Sequence, residues 1–264
     1  MKLATWNINS VRLRFNAVAR FLRNEAPDVL ALQETKVVND LFPARDFARL
    51  GYVHQAINGQ KGYHGVAILS KLPFRSQAAR EFCEKGDSRH MSAVFENGIE
   101  LHNFYVPAGG DIPDPEVNDK FAHKLAFLHE MEEMFRTRRD RHSAPVVLVG
   151  DLNVAPLEND VWSHKQLLDV VSHTPVEVEL FGNAREAFEW NDVTRQFVSE
   201  DQKIYSWWSY RAQDWRASDR GRRLDHIWTS PVLKNAVRSQ KILKDMRGWK
   251  QPSDHVPVVA EFEV

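Results

Sequence analysis

Val146-Val147-Leu148-Val149-Gly150-Asp151-Leu152-Asn153-Val154-Ala155-Pro156 is the stretch on which the reading of this chain turns. Four apolar residues in a row, entered through Pro145, predict a buried strand. Gly150 lets the backbone turn where the strand stops. Asp151 and Asn153 follow two apart, so an extended segment points both side chains the same way. A carboxylate acceptor beside an amide donor at the mouth of a sheet suits phosphate chemistry with a metal. The same two residues also make an ordinary Asx turn, and the stretch alone leaves both readings open.

Working outward, the same motif recurs: a strand, then a polar residue where the strand stops. Lys2 to Ile8 alternates and ends at Asn7-Ile8-Asn9-Ser10. Phe15, Val18, Ala19 and Leu22 then fall at helical spacing, and the helix they predict stops before Pro27. Val29 to Leu32 is an apolar strand with Gln33-Glu34-Thr35-Lys36 at its end. Glu34 there is either the first solvent-exposed residue or a carboxylate that binds something, since burying it unpartnered is expensive. Gly65 to Ser70 is a further strand, behind a glycine-containing loop that matches no phosphate-binding fingerprint. Ser92 to Phe95 and Ile99 to Val106 predict a hairpin about Asn97-Gly98, with Asn103 and Tyr105 on one face of its second strand. Phe121, Leu125, Leu128, Met131 and Phe135 mark a long amphipathic helix whose apolar face is core. Beyond the central stretch, Ile204 to Tyr210, Leu224 to Thr229, Val237 to Leu243 and Val256 to Phe262 read as four strands. Residues 157 to 203 carry mixed helical pattern and acidic loops and are the least legible part.

Composition bounds the function. The 264 residues are 43% hydrophobic and 27% charged, with eight Trp and fifteen Phe for a core, ordinary values for a globular chain. Cys83 is the lone cysteine, which excludes an intramolecular disulfide and fits a reducing compartment. No apolar run long enough for a signal or a membrane span occurs, so a cytoplasmic location is expected. A net charge of −1 excludes a bulk-basic nucleic-acid binder, and any phosphate-rich partner must be held by a local patch. Charge is segregated: Glu177 to Asp201 carries seven acids against two arginines, and Lys234 to Lys250 six basic residues against Asp245. No repeat or linker appears, so 1–264 is expected to be one domain. Many strands with few long helices point to two packed sheets with helices outside.

Asn7, Glu34, Tyr105, Asp151, Asn153, Asp225, Asp254 and His255 all stand at strand ends. If those ends converge, the result is a carboxylate-rich cavity with one imidazole, suited to Mg²⁺ or Mn²⁺ rather than to structural zinc. Thr5-Trp6-Asn7-Ile8-Asn9, Leu32-Gln33-Glu34-Thr35-Lys36, Gly65 to Ser70, Tyr105-Val106-Pro107, Gly150-Asp151-Leu152-Asn153, Arg223-Leu224-Asp225 and Pro252-Ser253-Asp254-His255 resemble, in order, the motifs of the exonuclease III family of abasic-site endonucleases. That family lies within the endonuclease/exonuclease/phosphatase superfamily. The resemblance spans the chain and is weakest over 157–203. Glu-Thr-Lys, Tyr-x-Pro and Ser206-Trp207-Trp208-Ser209-Tyr210 point to its DNA-repair branch.

The resemblance implies an α/β four-layer sandwich, two stacked mixed sheets flanked by helices. It implies a Mg²⁺-dependent phosphodiesterase that cuts 5′ to an abasic site, removes nucleotides 3′→5′ from duplex ends, or both. Double-stranded DNA would be the partner, and a monomer is expected. Glu34 would hold the metal, with Asn7 and Asp254 nearby. Asp225 would orient His255, Asp151 would activate water or protonate the leaving oxygen, and Asn153 and Tyr105 would contact the phosphate. Trp207 and Leu224 would line a pocket for a flipped-out sugar, whereas Trp208, on the other face, would be core. Lys36, Arg222 and Arg223 would meet substrate, the two arginines within a stripe that also holds Arg211, Arg216 and Arg220.

Three positions depart from the family pattern: Ser10 where glycine is usual, Ala108 where an amide is usual, and Arg222 at a pocket position that is often apolar. The metal constellation alone would also serve inositol-phosphate phosphatases, sphingomyelinases and secreted DNases. The first two leave the Trp207 and Leu224 pocket with its arginine stripe unexplained, and the last normally carry disulfides. A non-catalytic DNA-binding module would not need Glu34, Asp151, Asp225 and His255 together.

Overall fold

Val146 to Asp151 forms a fully buried strand at the heart of a computed structural model that describes all 264 residues. In chain order the strands are β1 (Lys2–Asn7), β2 (Val29–Gln33), β3 (His54–Asn58), β4 (Val66–Ser70), β5 (Phe74–Ala78), β6 (His90–Phe95) and β7 (Glu100–Tyr105). They continue with β8 (Val146–Asp151), β9 (Asn191–Asp192), β10 (Trp207–Trp208), β11 (Gly221–Arg222), β12 (Asp225–Thr229), β13 (Val237–Ile242) and β14 (Val258–Phe262). Two six-stranded mixed sheets result, in the orders β13-β14-β1-β2-β4-β3 and β5-β6-β7-β8-β12-β9, with β10-β11 as a separate ribbon. The helices used below are α1 (Phe15–Glu25), α2 (Ala44–Arg49), α3 (Asp119–Arg136), α4 (His164–Leu167) and α5 (Pro175–Glu186).

The four layers follow from strand alternation. In β8, Val147 and Val149 face a core shared with Leu3, Val29, Ala31, Ile68 and Ile227, the layer between the sheets. Val146 and Leu148 face the opposite way, onto Phe127, Leu128, Met131 and Phe135 of α3 and Phe181 of α5. On the first sheet Ala4 and Trp6 pack outward against Val18, Phe21 and Leu22 of α1 and Phe47 of α2. Each such aliphatic side chain, fully buried, contributes roughly 1.5–3 kcal/mol of transfer free energy. No helix is long and apolar enough to cross a membrane.

Register decides where the polar ends meet. β7 runs parallel to β8 with Tyr105 opposite Asp151, and β12 runs antiparallel to β8 with Asp225 opposite the same Asp151. In the other sheet β1 runs parallel to β2, with Asn7 opposite Gln33. Asn7, Tyr105, Asp151 and Asp225 lie an even number of residues from Leu3, Leu101, Val149 and Ile227, so all four belong to the inward face. A buried polar layer closes the cleft beneath them. Gln33 Nε2 donates to Thr5 Oγ1 at 2.9 Å and to Asn103 Oδ1 at 2.7 Å.

The predicted hairpin, the two long helices and most strands stand where expected. The strand expected over 204–210 contracts to Trp207–Trp208, and its partner is Gly221–Arg222 rather than the strand that begins at Asp225. β3 and β5, at sheet edges, lay outside the sequence reading.

Candidate active site

Gly150 makes the end of β8 possible. Its φ is +147°, and a Cβ there would lie 1.9 Å from the carbonyl oxygen of Phe104. The parallel neighbour therefore approaches more closely than any side chain permits. Asn153 follows in a left-handed conformation, φ 52°, and its backbone N–H donates to Asp151 Oδ1 at 3.1 Å. The Asx turn and the site are thus one feature: the turn, not strand alternation, brings Asn153 Nδ2 back to 3.2 Å from Asp151 Oδ2. Lys124 of α3 fixes the same turn by donating to Asn153 O at 2.7 Å, while pairing with buried Glu177.

Around Asp151 the other strand ends close in. Asn7 Nδ2 donates to both Glu34 Oε1 and Asp151 Oδ2, each at 2.8 Å, and so joins the two sheets. Tyr105 OH donates to Glu34 Oε1 at 2.9 Å. Lys36 Nζ lies 2.8 Å from Glu34 Oε2 and donates to Asn9 Oδ1 at 2.6 Å. Asn9 Nδ2 donates to Asp254 Oδ1 at 3.2 Å, and Trp207 Nε1 donates to Asp254 Oδ2 at 3.0 Å. His255 places Nδ1 2.8 Å from Asp225 Oδ2 and Nε2 3.6 Å from Asp151 Oδ2. Ser206 Oγ donates to the same Asp225 oxygen at 2.6 Å. Asn9, Ser10, Glu34 and Lys36 share positive φ. Ser10 stands at φ 88°, a conformation that explains why glycine is the easier residue there.

Electrostatics follow from this crowding. Burial pushes the Asp151 carboxyl well up, and Asp225 adds to the shift while His255 opposes it. Burial disfavours the His255 cation, but Asp225 and Asp151 outweigh it and raise its pKa. Burial would raise Glu34 too, yet the Lys36 ammonium and the Asn7 amide hold it below the usual value. The result is an imidazolium held between two aspartates. Asp225 Oδ1 is buried with no hydrogen-bond partner.

The donor chemistry fits a hard divalent cation. Glu34 and Asp151 offer carboxylate oxygens on either side of Asn7. Asp151, Asp225 and His255 also bring one ligand atom each within 4.8 Å of one another. Both groupings already carry hydrogen bonds, Asp225 with His255 and Glu34 with Asn7, Tyr105 and Lys36. Both oxygens of Asp254 already accept hydrogen bonds, from Asn9 and Trp207.

These residues open onto a cavity of about 660 Å³. Its walls include Trp207, Leu224, Arg222, Trp162, Val171 and Ser172, and Arg211 and Arg220 stand at its side. Trp207 faces the cavity, where the resemblance put it, and Trp208, on the other face of the strand, is core. Arg223 corrects the sequence reading. It is fully buried and donates to Asp160 and Asp192, so it cannot reach a substrate. Arg216, also placed in the stripe, pairs with Asp245 at the surface. Lys36, expected at the substrate, has its ammonium on Glu34 and Asn9. Asn9 and Ser206 stood in the quoted motifs without a role, and Lys124 was missed altogether, because their partners lie far away in the chain. Sequence reasoning also missed Val171 and Ser172, in the segment that gave no pattern.

Comparison with known proteins gives the same picture. The model of the Endonuclease/Exonuclease/phosphatase family matches residues 4–255. Exodeoxyribonuclease III of Haemophilus influenzae is 30% identical over 275 residues, covering all of both chains. The solved AP endonuclease from Archaeoglobus fulgidus superposes with a TM-score of 0.92 at 32% identity, again over both full chains. The 3′ phosphatase NExo from Neisseria, solved with a product DNA hairpin, gives 0.90 at 30% identity over both full chains. With the strand ends converging as they do, the chain belongs to the Endonuclease/Exonuclease/phosphatase family, as a DNA repair phosphodiesterase of the nuclease class.

Proposed function

We propose that the protein is a Mg²⁺-dependent nuclease that hydrolyses DNA phosphodiesters at abasic sites or at 3′ ends, leaving a 3′-hydroxyl. The observation that carries this reading is the hydrogen-bonded chain Glu34–Asn7–Asp151, with His255 between Asp151 and Asp225, at the mouth of a cavity walled by Trp207 and Leu224. Its relatives supply the substrate class: an AP endonuclease and a 3′ phosphatase with bound DNA share the whole fold. The chain, 1–264, acts as one catalytic domain and as a monomer in the cytoplasm. Mn²⁺ would substitute for Mg²⁺ on the same oxygen donors.

In hydrolysis a water oxygen bonds to phosphorus, the bond to O3′ breaks, and O3′ takes a proton. Glu34 would hold the metal, with Asn7 orienting the carboxylate and Asp254 completing the wall. The ion would neutralise charge on the phosphate oxygens. Asp225 fixes the His255 ring through Nδ1 and leaves Nε2 toward Asp151. The Asp151–His255 pair then holds the proton that moves between water and the leaving oxygen, and its titration belongs to the pair. The imidazolium also faces the phosphate with positive charge. Tyr105 and Asn153 line the cavity as hydroxyl and amide contacts for the phosphate. Trp207 and Leu224 offer flat and aliphatic walls to a nucleotide drawn out of the stack, a displacement that costs least where the base is missing.

Three duplexes test the reading: one with an abasic site, one with a recessed 3′ end, one intact, each with Mg²⁺ or with EDTA. Metal-dependent cutting of the first or second, with the intact duplex spared, is the expected result. Equal inactivity on all three in the presence of Mg²⁺ overturns it.

A further inference from the structure

Arg222 and Arg223 are neighbours in sequence with opposite surroundings. Arg223 is neutralised by two aspartates. Arg222 stands on β11 directly across from Trp207, and Trp207 in turn bridges His255, so the three form one row across the cavity wall. Its guanidinium lies 5.4 Å from the centroid of the Trp207 ring. Nη1 donates to two neutral acceptors, Val171 O at 2.8 Å and Ser172 Oγ at 2.7 Å. Nε is buried without any partner. Glu177, the acid whose field reaches Arg222, is already paired with Lys124. A guanidinium that lines the cavity, held by neutral acceptors and with no carboxylate of its own, is an incomplete anion site.

We infer that Arg222 makes this cavity a seat for a phosphate oxygen, and that it selects DNA ends bearing a terminal 3′-phosphate over internal abasic sites. At an abasic site the scissile phosphorus carries a neutral ester oxygen leading into a sugar, which needs apolar room beside Trp207 and Leu224. A 3′-phosphomonoester has no sugar there and carries a further charged oxygen instead. The guanidinium takes up part of the sugar's room and offers that oxygen a charge-assisted hydrogen bond. The reaction is the same hydrolysis: water adds to phosphorus, the bond to O3′ breaks, and the products are a 3′-hydroxyl and inorganic phosphate. The inference rests on the proposed function and names the preferred substrate within it.

The test compares kcat/KM of the wild type, Arg222→Leu and Arg222→Lys on two Mg²⁺-containing substrates, a duplex with a recessed 3′-phosphate and a duplex with a tetrahydrofuran abasic analogue. The wild type is expected to favour the 3′-phosphate. Arg222→Leu should lower the ratio of the two efficiencies about 100-fold, the scale of one charge-assisted hydrogen bond. Arg222→Lys, which keeps the charge, should stay within about 10-fold of the wild-type ratio. Inorganic phosphate should inhibit the wild type more strongly than Arg222→Leu. An unchanged ratio, or a greater loss on the abasic duplex, overturns the inference while leaving the proposed function intact. Wild-type inactivity on both substrates instead overturns the proposed function itself. Thermal melting of the variants separates misfolding from loss of recognition, and Arg222→Gln, uncharged and closer in size, takes the place of the leucine variant if that one does not fold, with the same fall in ratio expected and an unchanged ratio in it overturning the inference.

Discussion

Arg223 and Arg195 face Asp160 and Asp192 in one buried cluster, with side-chain contacts between 2.5 and 2.8 Å. One strand end away, Glu34, Asp151, Asp225 and Asp254 share only His255 and Lys36. The first cluster balances its own charge, although Arg195 Nε within it has no partner. The second is left with an excess of negative charge and an oxygen of Asp225 that no donor meets. Proteins rarely bury acids on such terms unless something else is to be bound. Both clusters join segments distant in the chain, so packing alone does not distinguish them; the charge balance does.

The comparison can be broken from either side. The largest effect should come from Asp151→Asn, which removes the carboxylate common to the metal side and the histidine side. Turnover should fall about 10³–10⁴-fold in a nuclease assay while DNA affinity, read by fluorescence anisotropy, stays within about 3-fold. Loss of both would make Asp151 structural. Arg223→Met attacks the balanced cluster instead. It strands Asp160 and Asp192 and should cost about 3–5 kcal/mol, a drop of roughly 10 °C in melting temperature. A Met variant as stable as the wild type would mean the cluster is dispensable.

Adding Mg²⁺ sharpens the contrast. At about 100 times its dissociation constant the ion should stabilise the wild type by about 2.7 kcal/mol, seen as a rise of several degrees in melting temperature. Glu34→Gln should abolish that rise, and Asp192→Asn should not. Acid gives a comparable or smaller effect, on the balanced cluster. Burial and then the Arg223 guanidinium depress His226, beside that cluster, to about 4. Its neutral form is the folded form, and an unfolded histidine takes up a proton near pH 6.5. Its contribution is therefore complete above pH 6.5 and declines as pH falls toward 4. At pH 5 the loss should be about 2 kcal/mol from this residue, measured by denaturant melts. His226→Gln should flatten that part of the pH profile.

Much of the frame could be read from sequence because its central strands are buried on both faces. Val29 to Gln33, Val66 to Ser70, Val146 to Asp151 and Asp225 to Thr229 are continuous buried runs, and the first three are apolar along most of their length. His54–Asn58 and Phe74–Ala78 are edge strands, half wet and mixed in polarity, and leave little pattern. Thr174-Pro175 with Glu177 is a capping box that announces α5 within the stretch that seemed illegible. The site residues were visible as polar strand ends. What could not be seen was pairing over distance. Arg223 looks like any other arginine of its stripe until Asp160 and Asp192, 63 and 31 residues away, are found against it. Arg222 was visible only as an oddity, because its meaning depends on Val171 and Ser172.

The pairing of β1 with β14 has a consequence for the life of the molecule. Ser253 Oγ donates to Asn7 O, and Trp6 Nε1 donates to His255 O, so the histidine is set in place by the first strand. Chain segments some 250 residues apart must meet before the last side chain of the site is fixed. Contacts of that span form slowly and together. Without the last strand in place the first strand has nothing to hold His255 beside Asp151, so the site is completed only when the two ends of the fold have met.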